Sequence, residues 1–410
     1  MKLLRNFIFS QQILGWLIIL LFCCVTFQCE KSTEKKIDEQ LVADIPEEFQ
    51  PQVITALESA GKNMLQLQEA ITQCPPEQVK ALGFLLANMP ERDLQSLSSK
   101  FILDNLNYAF KAVQEANWGQ QIPEKLFLNN ILPYVNLHER RDNWREDFFT
   151  QFSPLVKECE TPGAAAVKLN YEIWDIVNVH YSTKRPKADQ SPYESIEASM
   201  ASCTGLSILL VDACRAVGVP ARFIGVPLWS DHSGNHSWVE IWDQGWHFIG
   251  AGEPGPLDKS WFVERAEKAN NTSWKYRIYA ASYQKTDLKY PCMWDKSATY
   301  LYAENVTDRY SKVQDETSLV NFGILVYDKS QASQRISVDI EVQKGDSLVG
   351  KGRTRNESHD LNDILRFKLE PNTDYQIEFS LNNKVIKQQV KTTAEENQIQ
   401  KFYGSELLEK

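Results

Sequence analysis

A cysteine and a histidine near the middle of the chain have the residue types expected of a nucleophile and its base. Cys203 lies in the stretch ASCTGLS, directly before an apolar run, and His236 lies further along in the stretch GNHSWVE. A thiolate can attack an amide or ester carbonyl while an imidazole holds the thiolate and then protonates the leaving amine. The pair therefore predicts acyl transfer through Cys203, with His236 as the base.

The element that carries Cys203 is predicted to be a helix with the cysteine in its first turn. Ser202 can cap its start, Gly218 and Pro220 suit its end, and apolar residues recur at helical spacing in between, namely Leu206, Leu209, Leu210, Ala213 and Val217. Unpaired N–H groups and the helix dipole favour negative charge at this end, so we expect a lowered thiol pKa. The N–H of Cys203 could also hold an oxyanion. The alternative is a buried structural thiol.

The segments around this helix resemble the transglutaminase-like superfamily, whose papain-like folds are built on a Cys-His-Asp triad. The resemblance covers roughly residues 165 to 265 and rests on the Cys203 helix and on the stretches RAVGVPAR, HSWVEIW and Gly245-Trp246. It implies a transglutaminase/papain-like core, a catalytic thiol at Cys203 and a catalytic imidazole at His236. The flanking regions resemble those attached to exported bacterial lipoprotein members of the superfamily.

The third member of the triad departs from the family pattern. The superfamily usually places an aspartate four residues after the tryptophan that corresponds to Trp246, where this chain has Gly250. The next carboxylate is Glu253, and a two-residue turn at Gln244-Gly245 would place it across from His236. Glu253 is therefore predicted to orient His236. The glycine equally allows a weakened or lost triad, and hence a non-catalytic binding protein of the same fold.

Other readings of the neighbouring residues stay open. His232, His236 and Cys203 could form a zinc site, although a glycine-containing loop fixes no such geometry, and we expect no metal and no cofactor. Glu240 is predicted to be salt-bridged or solvated. Six tryptophans are expected mostly in the core, with one or two in a cleft wall: Trp229, Trp238, Trp242, Trp246, Trp261 and Trp274.

Composition narrows the class of protein. The 410 residues suggest two or three domains, and the formal net charge of -10 argues against a nucleic-acid partner. The later cysteines have unrelated spacings that indicate no disulfide framework, and they are Cys74, Cys159, Cys203, Cys214 and Cys292. Cys214, near the end of the predicted helix, is expected to be a packed core thiol.

The first residues are predicted to be a targeting segment. Lys2 and Arg5 precede a short apolar run that ends in a polar stretch at Cys29, as in a bacterial lipoprotein signal. Cys29 is the predicted lipidated residue, although Gln28 is larger than such signals prefer and Cys24 competes. An uncleaved anchor is the alternative. Either interpretation predicts an exported protein attached to the membrane of the bacterial cell envelope, facing the periplasm or the cell surface.

These observations predict an α+β protein in several parts. We assign a signal segment to 1–29, a tether to 30–45, a helical domain to 46–160, a transglutaminase-like domain to 161–315, an Ig/fibronectin III-like β-sandwich to 316–395 and a tail to 396–410. The expected activity is peptidase or amidase action, or protein-glutamine acyl transfer, on a protein or peptide substrate. Hydrolysis is favoured over cross-linking because an open aqueous cleft favours water as the acceptor.

Overall fold

The computed structural model describes residues 39–312, 319–330 and 334–408. Leu41–Lys410 forms one compact unit, and of the other unit, Met1–Gln40, only residues 39 and 40 are described. The predicted signal segment, its Cys29 and most of the tether lie outside the described residues. No helix within the described ranges is both long enough and apolar enough to cross a membrane.

The first part of the unit is helical, as predicted. Its seven α-helices among the described residues are α1 Gln50–Ser59, α2 Met64–Gln73, α3 Val79–Asn88, α4 Glu91–Leu94, α5 Ser99–Glu115, α6 Glu124–Leu126 and α7 Arg145–Val156. Short 3-10 turns and one π turn, Phe127–Ile131, join them. Ser98 caps the longest helix by accepting a hydrogen bond from the N–H of Phe101.

Two buried arginines connect the helical part to the core. The guanidinium of Arg145 donates to the carbonyls of Ile131, Leu132 and Pro133 and to that of Arg215. Arg215 in turn donates to carbonyls on both sides of the junction, those of Asn130, Pro133, Val135 and Ala221. Burial lowers the pKa of Arg145 to about 9 and that of Arg215 to about 10. The arginine that opens the RAVGVPAR stretch therefore has a structural role.

In the core, the helix that begins at Cys203 packs against an antiparallel sheet. Its main helices are α8 Pro162–Val177, α9 Pro192–Ala198 and α10 Cys203–Ala216, with the short parallel pair β1 His180–Tyr181 and β2 Met200–Ala201 between them. The sheet has the order β5-β4-β3-β6-β7, with β3 Ala221–Val226, β4 His236–Trp242, β5 Trp246–Ile249, β6 Tyr279–Ser282 and β7 Tyr302–Asn305. Apolar residues of α10 pack on β3 and β4 in one buried cluster. Two short helices, α11 Val263–Ala266 and α12 Thr307–Tyr310, flank the sheet. The predicted α+β class is confirmed.

The turn between β4 and β5 differs from the prediction by one residue. Trp246 pairs with Trp242, so three residues form the connection and the predicted two-residue turn at Gln244-Gly245 is wrong. Gln244 adopts a left-handed conformation with φ 59°, and the N–H of Asp243 donates to the carbonyl of Gly245. The pairing ends at Ile249, so Glu253 lies beyond the strand.

The last part of the unit is a two-sheet β-structure. One sheet has the order β10-β9-β12-β13 and the other β11-β8-β14, with β8 Val320–Tyr327, β9 Asp339–Lys344, β10 Ser347–Arg353, β11 Leu365–Leu369, β12 Asp374–Leu381, β13 Lys384–Lys391 and β14 Asn397–Tyr403, followed by α13 Gly404–Leu408. Alternate residues of both sheets meet in one buried cluster. We call this part the C-terminal sandwich.

Two details of the C-terminal sandwich bear on the sequence analysis. The segment assigned to a tail carries β14, which pairs in parallel with β8, so the sandwich extends to Tyr403. Apolar and polar residues alternate only weakly in β14, so the strand is recognised only by its pairing with the distant β8. The hydroxyl of Tyr375 accepts a hydrogen bond from the N–H of Glu370, as in a tyrosine corner. Assignment to the fibronectin III class stays a prediction.

Candidate functional site

Cys203 is the first residue of α10, as the sequence predicts. Ser202 is the N-cap: its hydroxyl accepts from the N–H of Gly205 and donates to the carbonyl of Ala188 at 2.8 Å. The preceding loop therefore holds the start of the helix in place. Cys203 is partly exposed, whereas Cys214 on the same helix is buried, as predicted.

His236 is the first residue of β4, where it pairs with Val226 of β3. Its ring is 2% exposed and is surrounded by aromatic side chains, with ring centroids at 6.2, 5.9, 4.7 and 5.0 Å in Trp229, Trp238, Trp261 and Phe262. The hydroxyls of Thr204 and Ser237, each adjacent in sequence to a candidate residue, lie 3.1 Å apart. This contact links the first turn of α10 to the first residues of β4, so the fold brings Cys203 and His236 together.

A third side chain completes a triad-like group, and it comes from the C-terminal sandwich. The Sγ of Cys203, a ring nitrogen of His236 and a carboxylate oxygen of Asp360 all lie within 4.8 Å of one another. The Oδ2 of Asp360 is 3.7 Å from the Nδ1 of His236. Sequence reasoning missed Asp360 because it lies in a domain without recognisable chemistry, and no local motif marks it.

The surroundings favour the neutral forms of both reactive groups. Burial raises the pKa of the Cys203 thiol, and the charge of Asp360 acts in the same direction, while the backbone N–H groups of Ser237 and Thr204 oppose it. The expectation of a lowered thiol pKa is therefore wrong, because burial outweighs the helix terminus. Burial likewise lowers the pKa of His236 to about 4, against the opposing charge of Asp360. Both shifts favour a thiol and a neutral imidazole in the free protein.

Glu253, the predicted third residue, lies in the same cleft but has other partners. Its carboxylate accepts hydrogen bonds from the hydroxyl of Ser260 at 2.7 Å and from the indole N–H of Trp261 at 2.6 Å. Neither ring nitrogen of His236 has a hydrogen-bond partner in the described part of the chain. Glu253 therefore reaches the imidazole only through Trp261, whose ring packs against it. Burial raises the pKa of Glu253 to about 7.

The carboxylate of Glu253 nevertheless fills the space that a side chain at position 250 would take. A Cβ built on Gly250 would lie 2.2 Å from the Oε2 of Glu253 and 2.7 Å from its Cδ. The turn that carries Glu253 is held by the buried Asn170 of α8, whose amide group donates to the carbonyl of Gly250 and accepts from the N–H of Gly252. A glutamate three residues later thus fills the space beside Gly250.

The zinc site considered as an alternative is not formed, and Glu240 has a structural role. His232 is exposed and contacts the hydroxyl of Tyr276 at 2.8 Å, so it does not join the group around Cys203. Within the described ranges that group offers three potential metal donors, one fewer than a closed zinc site uses. Glu240 is fully buried and ion-paired with Arg222 and Arg309, which is a structural role.

Cys203, Glu253 and Asp360 line an open cleft of about 460 Å³ between the core and the C-terminal sandwich, whereas the buried His236 is not among the lining residues. Cys203, Glu253 and Trp261 belong to the core wall, while the opposite wall comes from residues 355–363. Trp261 is thus the tryptophan in the cleft wall that the sequence analysis expects. Of the other five, Trp229 and Trp238 are buried and Trp274 is 44% exposed.

Comparison with known proteins agrees with the core assignment. Residues 152–251 match the family model described as the transglutaminase-like superfamily, which confirms the resemblance for this segment. No curated protein sequence matches the chain. Similar solved structures include a "putative cysteine protease" from Cytophaga hutchinsonii, at 18% identity and a TM-score of 0.27 over 46% of this chain and 66% of that one. They also include red sea bream transglutaminase, at 8% identity and a TM-score of 0.31 over 68% and 65%. The chain thus spans slightly less than two thirds of each protein.

Proposed function

We propose that this transglutaminase-like protein is a cysteine enzyme that cleaves or transfers acyl groups at amide bonds, with Cys203 as the nucleophile and His236 as the base. The observation that carries the proposal is that a thiol, an imidazole and a carboxylate lie within 4.8 Å of one another, with the thiol and the carboxylate lining one open cleft. A buried structural thiol would need neither the cleft nor the histidine. The aromatic side chains packed around His236 also fix the orientation of its imidazole ring, as a general base requires.

The neutral resting forms fit a mechanism in which the proton moves as the substrate reacts. The thiol proton of Cys203 passes to His236 while the sulfur bonds to the substrate carbonyl carbon, whose oxygen takes the electron pair. The C–N bond then breaks and His236 returns the proton to the departing amine. Water next attacks the thioester and gives a proton to His236. The C–S bond then breaks to release the acid, and His236 passes that proton to the departing sulfur, which restores the thiol and the neutral imidazole.

The proposed substrate is a protein or a peptide, and water is the favoured acceptor. The cleft is open to solvent, so water reaches the thioester without passing a barrier. An amine acceptor would give cross-linking by the same acyl-enzyme. Incubation with internally quenched peptides and, in parallel, with a fluorescent primary amine and a glutamine-containing protein separates these outcomes.

The decisive test of the nucleophile is labelling by a thiol-reactive probe. We expect Cys203→Ala to lose the label and all turnover, while Cys292→Ala, which removes another partly exposed thiol outside the cleft, keeps both. Equal labelling of the wild type and Cys203→Ala would remove the claim. Ligand binding in the cleft without turnover on any amide substrate would favour the alternative, a non-catalytic binding lipoprotein.

We also propose that the protein is exported and attached to the membrane by a lipid on Cys29. The support is the sequence alone: a basic start, a short apolar run and a cysteine at its polar exit. Metabolic labelling with a fatty acid should mark the wild type and fail with Cys29→Ser. Labelling that persists in Cys29→Ser but disappears in Cys24→Ser would move the anchor to Cys24.

A further inference from the structure

We infer that Asp360 is the positioning residue of His236 and that the C-terminal sandwich therefore completes the active site. The inference rests on the proposed function, since it assigns the third group of the same reaction. The sequence alone predicts Glu253 for this role. The structure instead aims a carboxylate from the sandwich at the imidazole.

His236 needs a counter-charge when it is protonated. His236 takes a proton during the reaction, and a buried imidazolium without a partner is costly. Both of its ring nitrogens lack a hydrogen bond among the described residues, and the Oδ2 of the 6%-exposed Asp360 lacks one as well. These unpartnered atoms face each other, with Nδ1 and Oδ2 at 3.7 Å. Protonation of His236 would turn this approach into a buried ion pair.

Hydrogen bonds hold the loop that carries Asp360 in one conformation. This loop, residues 354–364, joins β10 to β11. The guanidinium of the buried Arg335 donates to five of its backbone carbonyls, those of Asn356, His359, Asp360, Leu361 and Asp363. The N–H of Asn362 donates to the Oδ1 of Asp360, which leaves Oδ2 free to face the histidine. One side chain thus sets the position of the carboxylate.

The same loop also packs on the core, next to the reactive residues. The N–H of Leu361 donates to the hydroxyl of Tyr181 at 2.8 Å, and the amide of Asn362 donates to the carbonyl of Asn235, the residue before His236, at 2.9 Å. Arg265 of the core donates to the carbonyl of Asn362 at 2.8 Å. The loop is therefore hydrogen-bonded to the residue that precedes β4. Displacement of the sandwich would move the carboxylate of Asp360 away from His236.

Glu253 does not compete for this role. Both of its oxygens are engaged by Ser260 and Trp261, and it contributes by fixing the Trp261 ring against the imidazole. The charged groups that act on His236 are Asp360, which favours its protonated form, and Arg265, which opposes it. Neutralising Asp360 should therefore make protonation of His236 harder.

The experiment compares Asp360→Asn with the wild type, using Asp339→Asn as the matched control. Asp339 is likewise an aspartate of the sandwich, but it is exposed, pairs with Arg353 and does not line the cleft. In full-length protein we expect Asp360→Asn to lower kcat by roughly 10²- to 10⁴-fold with little change in KM. Asp339→Asn should leave both unchanged.

A second readout needs no substrate, so it separates failure of this inference from failure of the proposed function. The His236 ring signals are followed by NMR during a pH titration. We expect the pKa of His236 to fall in Asp360→Asn and to stay near the wild-type value in Asp360→Glu, which keeps the charge. An unchanged titration in Asp360→Asn would overturn the inference even if the enzyme is inactive.

A third variant tests the loop without touching the reactive group. Arg335→Met removes the guanidinium that holds residues 356–363 and should reduce kcat, with a smaller loss when Asp360 is already Asn. Equal losses in the two backgrounds would mean that Arg335 acts elsewhere. An increase of kcat in Asp360→Asn would show that the loop blocks the thiol instead of positioning the base, and would also overturn the inference.

Discussion

Placing an aspartate at position 250, where the transglutaminase-like superfamily that the core resembles usually has one, should damage this protein unless Glu253 is removed at the same time. A Cβ on Gly250 would lie 2.2 Å from the Oε2 of Glu253, closer than any real contact, so the glutamate must move. Moving it breaks the hydrogen bonds from Ser260 and Trp261. Bonds to a carboxylate contribute about 1.5 kcal/mol each or more, so Gly250→Asp should lower the free energy of unfolding by about 3 kcal/mol.

The double variant should recover part of this loss. Glu253→Ala alone also loses both hydrogen bonds and should cost a similar amount, about 3 kcal/mol. In Gly250→Asp with Glu253→Ala, the aspartate enters the space that the glutamate has left. The combined loss should therefore be smaller than the sum of the two single losses, by about 2 kcal/mol.

Urea denaturation of the four proteins followed by tryptophan fluorescence measures this coupling. Unchanged slopes against denaturant in all four would show that the two-state comparison is valid. The reasoning fails if the losses add to within about 0.5 kcal/mol, the scatter expected for independent sites. It also fails if Gly250→Asp alone is as stable as the wild type, because then Glu253 does not fill that space.

Three further outcomes follow from the packing and the pKa shifts. Folding raises the pKa of Glu253 from 4.5 to about 7, so the free energy of unfolding should fall as the pH rises across this window, and less so in Glu253→Gln. Folding lowers the pKa of His236 from 6.5 to about 4, so the free energy of unfolding should fall as the pH drops across that window, and less so in His236→Phe. Thermal unfolding at several pH values checks both of these pH dependences. Leu209→Ala, in the fully buried face of α10, should cost about 2–5 kcal/mol by urea denaturation, whereas Leu65→Ala, at 59% exposure, should change little; equal effects would contradict the placement of the core.

Much of this fold could be predicted because its signals are local. Apolar spacing and the Ser202 cap indicate the helix of Cys203, and alternation after His236 indicates its strand. The mixed α+β class and the helical first part follow from the same patterns. Strand β14 was missed because its residues alternate weakly, and its pairing with β8 depends on partners more than seventy residues away.

Local sequence patterns are enough to identify the candidate thiol, the candidate imidazole and the element on which each lies. The surroundings of both groups depend on how distant segments pack together. Asp360 reaches His236 because the sandwich docks on the core, and Glu253 occupies the place of residue 250 because a turn folds it back. The thiol pKa rises because burial and a carboxylate from a distant loop outweigh the helix terminus. Charge and solvent act through space, so no spacing along the chain could reveal their balance.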